Sequence, residues 1–204
     1  MIESLLNQIQ QQSLLEVFAV VFAVLYVVFA ARQNILCWPS ALISTGIYVY
    51  IFWEVMLPFQ SVLNIYYLVI AVYGWLHWRR LAEEGDALRV TRWSPQKHLV
   101  WLLAMALASV LCIRLVDSWI ESDYLMLDGV LAIYSCLATY LMAKKILENW
   151  LYWVVLNSGA AYLYFSQGLY LTTLLFCFYC GYAVIGWLKW YRSYQSWQLS
   201  ATAN

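Results

Sequence analysis

Between Leu14 and Trp190 the chain is a succession of apolar stretches, each of about 18 to 24 residues and so long enough to cross a hydrocarbon core of roughly 30 Å as a helix. The breaks carry polar or helix-ending residues: ARQN at 31–34, EVMLP at 54–58, ESD at 121–123, AKK at 143–145 and SQG at 166–168. The pattern predicts seven spans, at about 14–31, 35–53, 59–78, 97–115, 124–143, 147–165 and 169–190. One polar loop of any length interrupts them, from Leu81 to Gln96. The other connections are tight, so consecutive helices must be antiparallel neighbours. The fold class is all-α, a polytopic membrane protein.

Composition closes off other classes. Only 11% of the 204 residues are charged, against roughly a quarter in a soluble chain. Formal net charge is zero, without the basic bias that would suggest nucleic acid. Cys37, Cys112, Cys136, Cys177 and Cys180 are scattered through apolar segments, as small buried side chains are, and do not form a disulfide framework. Cys177 and Cys180 spell C-x-x-C inside a span, with no ligand-type cluster beside them, so neither metal nor redox cofactor chemistry is expected. The start, MIESLLNQIQQQS, has no basic n-region and reads as a retained polar lead-in.

Seven spans put the termini on opposite sides. Arg32, Arg79, Arg80, Arg89, Arg92, Lys97, Lys144, Lys145, Lys189 and Arg192 all fall on one side and Arg114 alone on the other. The positive-inside rule makes the first side cytoplasmic, with the amino terminus outside and the carboxyl terminus inside. His77 and His98 then fall at the cytoplasmic boundary, where interfacial placement is expected.

The chain also repeats itself. YGWLHW (Tyr73 to Trp78) matches IGWLKW (Ile185 to Trp190) 112 positions later, and at the same offset Trp38 falls on Trp150, Tyr50 on Tyr162, Leu57 on Leu169, Tyr67 on Tyr179 and Arg80 on Arg192. Shared hydrophobicity alone does not supply so many identities, several of them tryptophan. A single transmembrane domain over 1–204 therefore divides into a three-helix unit at 14–78, a linker helix at 97–115 and a second three-helix unit at 124–190. One span between copies makes both run in the same direction. This 3+1+3 parallel-repeat layout resembles that of the SWEET sugar transporters, which place substrate between the repeats near the midplane and alternate access by rocking one bundle against the other.

Within the sixth span, ILENWLYWVVLN places Trp150, Trp153 and Asn157 at i, i+3 and i+7, along one helix face. Two readings stand. Tryptophans belt membrane surfaces, and Trp150 lies near the entry of its helix. Alternatively, the stripe holds something flat and polar, because Asn157 falls near mid-membrane, where an amide needs a partner. That partner is a solute or a neighbouring helix. In the first repeat Trp38 keeps the aromatic, while Ala41 and Thr45 replace Trp153 and Asn157, so the halves have diverged.

With these motifs in view, the chain resembles the PnuC family of nicotinamide riboside transporters, whose other branches move vitamins such as thiamine. The resemblance covers nearly the whole chain. It rests on the W-x-x-W-x-x-x-N pattern of ENWLYWVVLN, on LYFSQGLYLTTLLF from Leu163, on the twin GW-x-x-W endings at Gly74 and Gly186, and on LDGVLAIYSCLATYLMAKK with Asp128 and Ser135 in register. It implies a homotrimer in the bacterial inner membrane that does no covalent chemistry. It further implies uptake of nicotinamide riboside by facilitated diffusion, drawn inward by a cytoplasmic kinase that phosphorylates the vitamin; thiamine is the alternative substrate. The sequence accords with this, having no Walker A motif and no pair of buried carboxylates for a proton relay.

Such substrates pair a flat cationic ring with hydroxyls. Trp150 and Trp153 are candidate walls and Asn157 a reader of carboxamide or ribose. The third span adds Gln60, Asn64 and Tyr67, with Asn64 where relatives place a helix-borne amide. The seventh adds Thr172, Thr173 and Tyr179. Asp128, at the start of the fifth span, would meet the substrate or pair with Arg114. Pro39 and Pro58 lie near helix starts, where proline is tolerated.

Overall fold

In the computed structural model, residues 14–54, 58–83, 89–116, 125–166 and 170–202 are described. They form α1 (Leu14–Ala31), α2 (Cys37–Glu54), α3 (Pro58–Glu83), α4 (Pro95–Val116), α5 (Leu125–Ala143), α6 (Asn149–Ser166) and α7 (Tyr170–Thr202). Each matches one predicted span, but α3 and α7 run past the expected ends at 78 and 190. Hydropathy marks where lipid stops, whereas a helix continues as long as its backbone bonds do. An Arg79–Glu83 ion pair at i, i+4 supports the extension of α3. Among the described residues, four helical stretches, Leu14–Ala31, Pro95–Leu115, Leu125–Ala143 and Thr172–Leu199, are long and apolar enough to cross a membrane by length and composition. In α2 the apolar stretch Cys37–Ile51 is shorter, while α3 and α6 carry Asn64, Asn149 and Asn157 buried, and these lower their apolar average.

Local chemistry fixes the ends. Ser94 caps α4 by accepting from the Lys97 amide at 3.3 Å, and Pro95 takes the first helical position. Pro58 likewise begins α3, and Pro39 sits in the first turn of α2. The α1–α2 and α5–α6 connections are the same turn twice, 112 residues apart. Gln33 and Lys145 adopt φ of 55° and 54°. Gln33 donates to the Ala30 carbonyl (3.0 Å) and Asn34 to Phe29 (2.9 Å); Lys145 donates to Met142 (3.0 Å) and Ile146 to Leu141 (2.9 Å). This is the Schellman stop, which usually takes glycine at the left-handed position. Here glutamine and lysine occupy it, at a cost of roughly 1–2 kcal/mol each. Their side chains meet, Lys145 Nζ donating to Gln33 Oε1 at 2.8 Å.

The helices close a ring. α1 packs on α2, α2 on α3, α3 on α5, α5 on α6, α6 on α7, and α7 back on α1. α4 packs on α5 from outside the ring, where Gly129 admits the Ile113 side chain and the Tyr134 hydroxyl donates to the Leu102 carbonyl. Ser44 ties α2 to α1 by donating to the Ala19 carbonyl, and Tyr66 ties α3 to α5 by donating to the Cys136 carbonyl. The outer surface is apolar, with Phe18, Val69, Leu103, Leu107 and Val155 exposed as a lipid-facing surface requires.

The principal core lies at the Lys145 end. Trp38, Trp78, Trp150 and Trp190 are all 0% exposed. Trp38 meets Trp78 edge-on at 5.3 Å between centroids, Trp150 meets Trp190 edge-on at 5.4 Å, and Trp78 lies 6.2 Å from Trp190. The two halves are also stitched crosswise: Trp78 Nε1 donates to the Ala143 carbonyl and Trp190 Nε1 to the Ala30 carbonyl, each at 3.0 Å. Gly74 and Gly186 leave room for Trp38 and Trp150; a Cβ would lie 2.4 Å and 2.6 Å from ring carbons. Alanine at either glycine is therefore expected to destabilise the protein by about 1–3 kcal/mol, since a rigid buried indole cannot give way locally. Thermal unfolding in detergent tests this, and a wild-type melting point in both variants would show that the rings can shift.

One further element braces this end. Residues 89–94 cross the α5–α6 turn in extended form, Thr91 donating to the Lys145 carbonyl (3.1 Å) and accepting from the Leu147 amide (2.8 Å). Arg92 pairs with the buried carboxylate of Glu148 at 2.6 Å, which pushes the arginine further up. His98 meets the same group: its Nδ1 lies 3.0 Å from the Tyr152 hydroxyl and its Nε2 3.7 Å from Glu148. His77 stacks on Tyr73 at 5.7 Å.

Candidate functional site

A cavity of about 320 Å³ runs inside the ring, lined by α1, α2, α3, α5, α6 and α7. Its wall follows two stripes. On α6 it takes Trp150, Trp153, Asn157, Ala160 and Tyr164; on α5 it takes Asp128, Ala132, Ser135, Thr139 and Met142. Both spacings are those of one helix face. Its volume lies at the small end of the range for small-molecule sites, roughly 300–1,000 Å³.

Of the residues singled out from sequence, Trp150, Trp153, Asn157, Tyr67, Tyr179 and Asp128 share this wall, as do Trp38, Ala41 and Thr45 of the first repeat. Asn64 is buried on α3 but outside the wall, and Thr172 and Thr173 are half-buried on α7, also outside it. The side chain of Gln60 lies outside the described residues.

Trp150 is not a belt residue. A belt indole faces lipid, whereas this one is fully buried against Gly186 and Trp190. It forms the floor of the cavity together with its repeat partner Trp38. Trp153, half-buried three residues along, presents more of its ring. Asn157 is 5% exposed, lines the cavity, and makes no hydrogen bond to any described residue. The interhelical bond that would have explained it is absent among the described residues. A buried amide with both donor and acceptor unused costs about 1–3 kcal/mol unless something else satisfies it.

Asp128 is likewise not tied to Arg114: among the described residues it has no ion pair. It occupies the first turn of α5, where the positive end of the helix dipole favours a carboxylate, and it is exposed toward the cavity it lines. Beside it the wall is aromatic, with Tyr48, Tyr164, Phe176 and Tyr179. Tyr164 lies 5.1 Å from Phe176, and Phe176 lies 5.7 Å from Tyr179. No Lys, Arg or His lines the cavity among the described residues. The site is thus an aromatic chamber with one negative charge, one unused amide and the hydroxyls of Ser44, Thr45, Ser135 and Thr139, suited to a flat cation with polar substituents.

Sequence reasoning missed Tyr26, Tyr48, Tyr164, Phe176 and Thr139. The signal was present for two: Tyr164 continues the Trp150–Asn157 stripe by seven residues, and Thr139 continues the one from Asp128 through Ser135.

The family model for the nicotinamide mononucleotide transporter matches residues 13–192, nearly the whole chain. The chain belongs to this family. The PnuC nicotinamide riboside transporter of Escherichia coli K12 is 24% identical over 187 residues, covering 79% of this chain and 78% of that one. The protein of the same name from Neisseria mucosa is 30% identical over 145 residues, covering 68% and 55%. Among solved structures, that of the vitamin B3 transporter PnuC superposes with a TM-score of 0.74 at 24% identity, over 96% of this chain and 88% of the other. The family is one of membrane transporters, and the helical architecture matches the fold of that solved structure.

Proposed function

We propose that this member of the family carries nicotinamide riboside inward across the bacterial inner membrane by facilitated diffusion, with alternating access and without a coupling ion. A cytoplasmic kinase that phosphorylates the vitamin would keep its internal concentration low. The observation that carries the reading is Asn157, a buried amide facing the chamber with its hydrogen-bonding capacity unused. The ring of nicotinamide riboside supplies a flat cation for the aromatic wall and Asp128, and its carboxamide and ribose supply partners for Asn157. The same electrostatics favour the riboside over the mononucleotide of the family's description. A phosphate dianion would enter a chamber that holds a carboxylate and no base among its described lining residues.

The 3+1+3 arrangement of units 14–78, 97–115 and 124–190 belongs to the same proposal. Its support is the closed ring, in which the α3–α5 contact mirrors the α7–α1 contact, with α4 outside. The twin Schellman turns and twin Gly–Trp contacts at the 112-residue offset add to it. We place all seven helices in the membrane, with the Lys145 end and the carboxyl terminus cytoplasmic and the amino terminus outside, and take the assembly to be a homotrimer. Four buried tryptophans separate the chamber from the Lys145 end, the layout expected with the cytoplasmic gate shut.

The test is uptake into liposomes holding only this protein. Saturable entry of labelled nicotinamide riboside is expected, with the mononucleotide at least about tenfold poorer. Thiamine serves as the cationic comparison. No saturable uptake of either vitamin would sink the transport reading, and better uptake of the mononucleotide would sink the electrostatic one.

A further inference from the structure

Lys145 is the least expected side chain in the fold. Beside Lys144 it reads as a basic residue at the membrane surface, yet it is 1% exposed. Its ammonium lies 4.5 Å from the centroid of Trp78 and 5.8 Å from that of Trp190, and donates to Gln33 Oε1 at 2.8 Å. Trp78 comes from α3, Trp190 from α7, Gln33 from the α1–α2 turn and Lys145 from the α5–α6 turn. One cation therefore joins parts of both three-helix units, at the end that must open for release into the cytoplasm.

A seal does not need a cation. A methionine would fill similar space without desolvation, and replacing buried charges by apolar side chains of like volume is often neutral or stabilising. Ring faces and an amide oxygen are weaker partners for an ammonium than water, and desolvation outweighs what the closed seal returns. Burial accordingly pulls Lys145 down to about 7, with the neighbouring Cys37 acting weakly in the opposite sense. We propose that Lys145 is the release element of the cytoplasmic seal: its charge, desolvated while the two halves are closed and rehydrated when they part, sets how readily that end opens. The proposal rests on the transport reading and the orientation given above.

Lys145→Met in proteoliposomes tests it. External binding of nicotinamide riboside is expected to stay within about twofold of wild type. Uptake is expected to slow by about tenfold, because the uncharged seal opens less often. Cys37, fully buried at the same seal, is a native reporter. Its labelling by a thiol reagent from the cytoplasmic face, quantified on its own peptide by mass spectrometry, should slow in parallel. Gln33→Leu, which withdraws the amide and leaves the lysine, should speed both uptake and labelling.

Internal pH supplies a readout that a packing role would not move. The open state, with a hydrated lysine, binds its proton throughout the range from pH 9 to 6, while the closed state binds it only below about 7. Acidification therefore favours opening, by up to about tenfold per pH unit, and the effect levels off below about 7. Among the described residues, those facing Lys145 include the Cys37 thiol from α2, Trp78 from α3, Trp190 from α7 and Gln33 from the α1–α2 turn. His77 and His98 lie at the same end and are retained in the variant. Uptake should rise from pH 9 to 7 in wild type and stay flat in Lys145→Met. Faster uptake by the variant, or a pH profile that survives it, overturns the proposal, as does wild-type behaviour in every assay. Failure of wild type itself to transport would instead remove the reading beneath it.

Discussion

Asn157→Leu is expected to abolish uptake of nicotinamide riboside while the protein still inserts, assembles and melts at or above the wild-type temperature. The two halves of that expectation come from one fact. Because the amide makes no bond to a described residue, its loss removes no internal contact, and an apolar group of similar size relieves an unsatisfied polar side chain. Substrate, by contrast, loses a donor and an acceptor while its own polar groups remain buried. The cost is about 1–3 kcal/mol per orphaned group, so binding should weaken by roughly 100-fold. Titration calorimetry on purified protein and tracer uptake measure the two sides separately. Normal transport by the variant would reduce the stripe to packing, and a protein that no longer folds would make the amide structural.

Asp128→Asn is expected to alter which rings the chamber accepts. The oxidised riboside carries a pyridinium, and its dihydro form has the same shape without the charge. A carboxylate about 5 Å from the cation at a near-surface dielectric contributes up to ~3 kcal/mol. Asp128 is exposed to the chamber, so about half of that, roughly tenfold in affinity, is the realistic preference. Wild type should favour the oxidised form by that factor, and the asparagine variant should bind the two forms nearly alike. An unchanged ratio would confine Asp128 to its helix-start role, in which its charge meets the positive end of the dipole. Trp153→Ala should weaken binding more than Trp38→Ala, since Trp38 is fully buried in the floor and Trp153 is not. Equal losses would point to a symmetric site.

These expectations draw unequally on sequence and structure. The seven helices were legible because each lies in an apolar stretch about 20 residues long, a local property that any window reveals. The duplication was legible because tryptophan and glycine keep an offset that shared hydrophobicity would blur. The Trp150–Trp153–Asn157 stripe followed from helical periodicity. Periodicity could not say which way the stripe faced or what stood opposite. Tyr48, Phe176 and Tyr164 come from three helices and meet only when the ring closes. The same holds for Asp128, whose proposed partner Arg114 lies on α4, outside the ring.

The number of helices, the 112-residue offset and the Trp150–Asn157 stripe are written along the chain, since each depends on residues close within one segment or at one fixed spacing. Helix packing is what makes Trp150 a floor and not a belt, leaves Asn157 without a protein partner among the described residues, and takes Lys145 out of water. Hydropathy assigns a lysine to the membrane surface because solvation of the charge outweighs every local term. The left-handed turn at Lys145 overrides it by aiming the side chain at Gln33, Trp78 and Trp190, which lie 112, 67 and 45 residues away in the chain. Partners that distant leave no mark on the local pattern, and the environment they make is decided by packing.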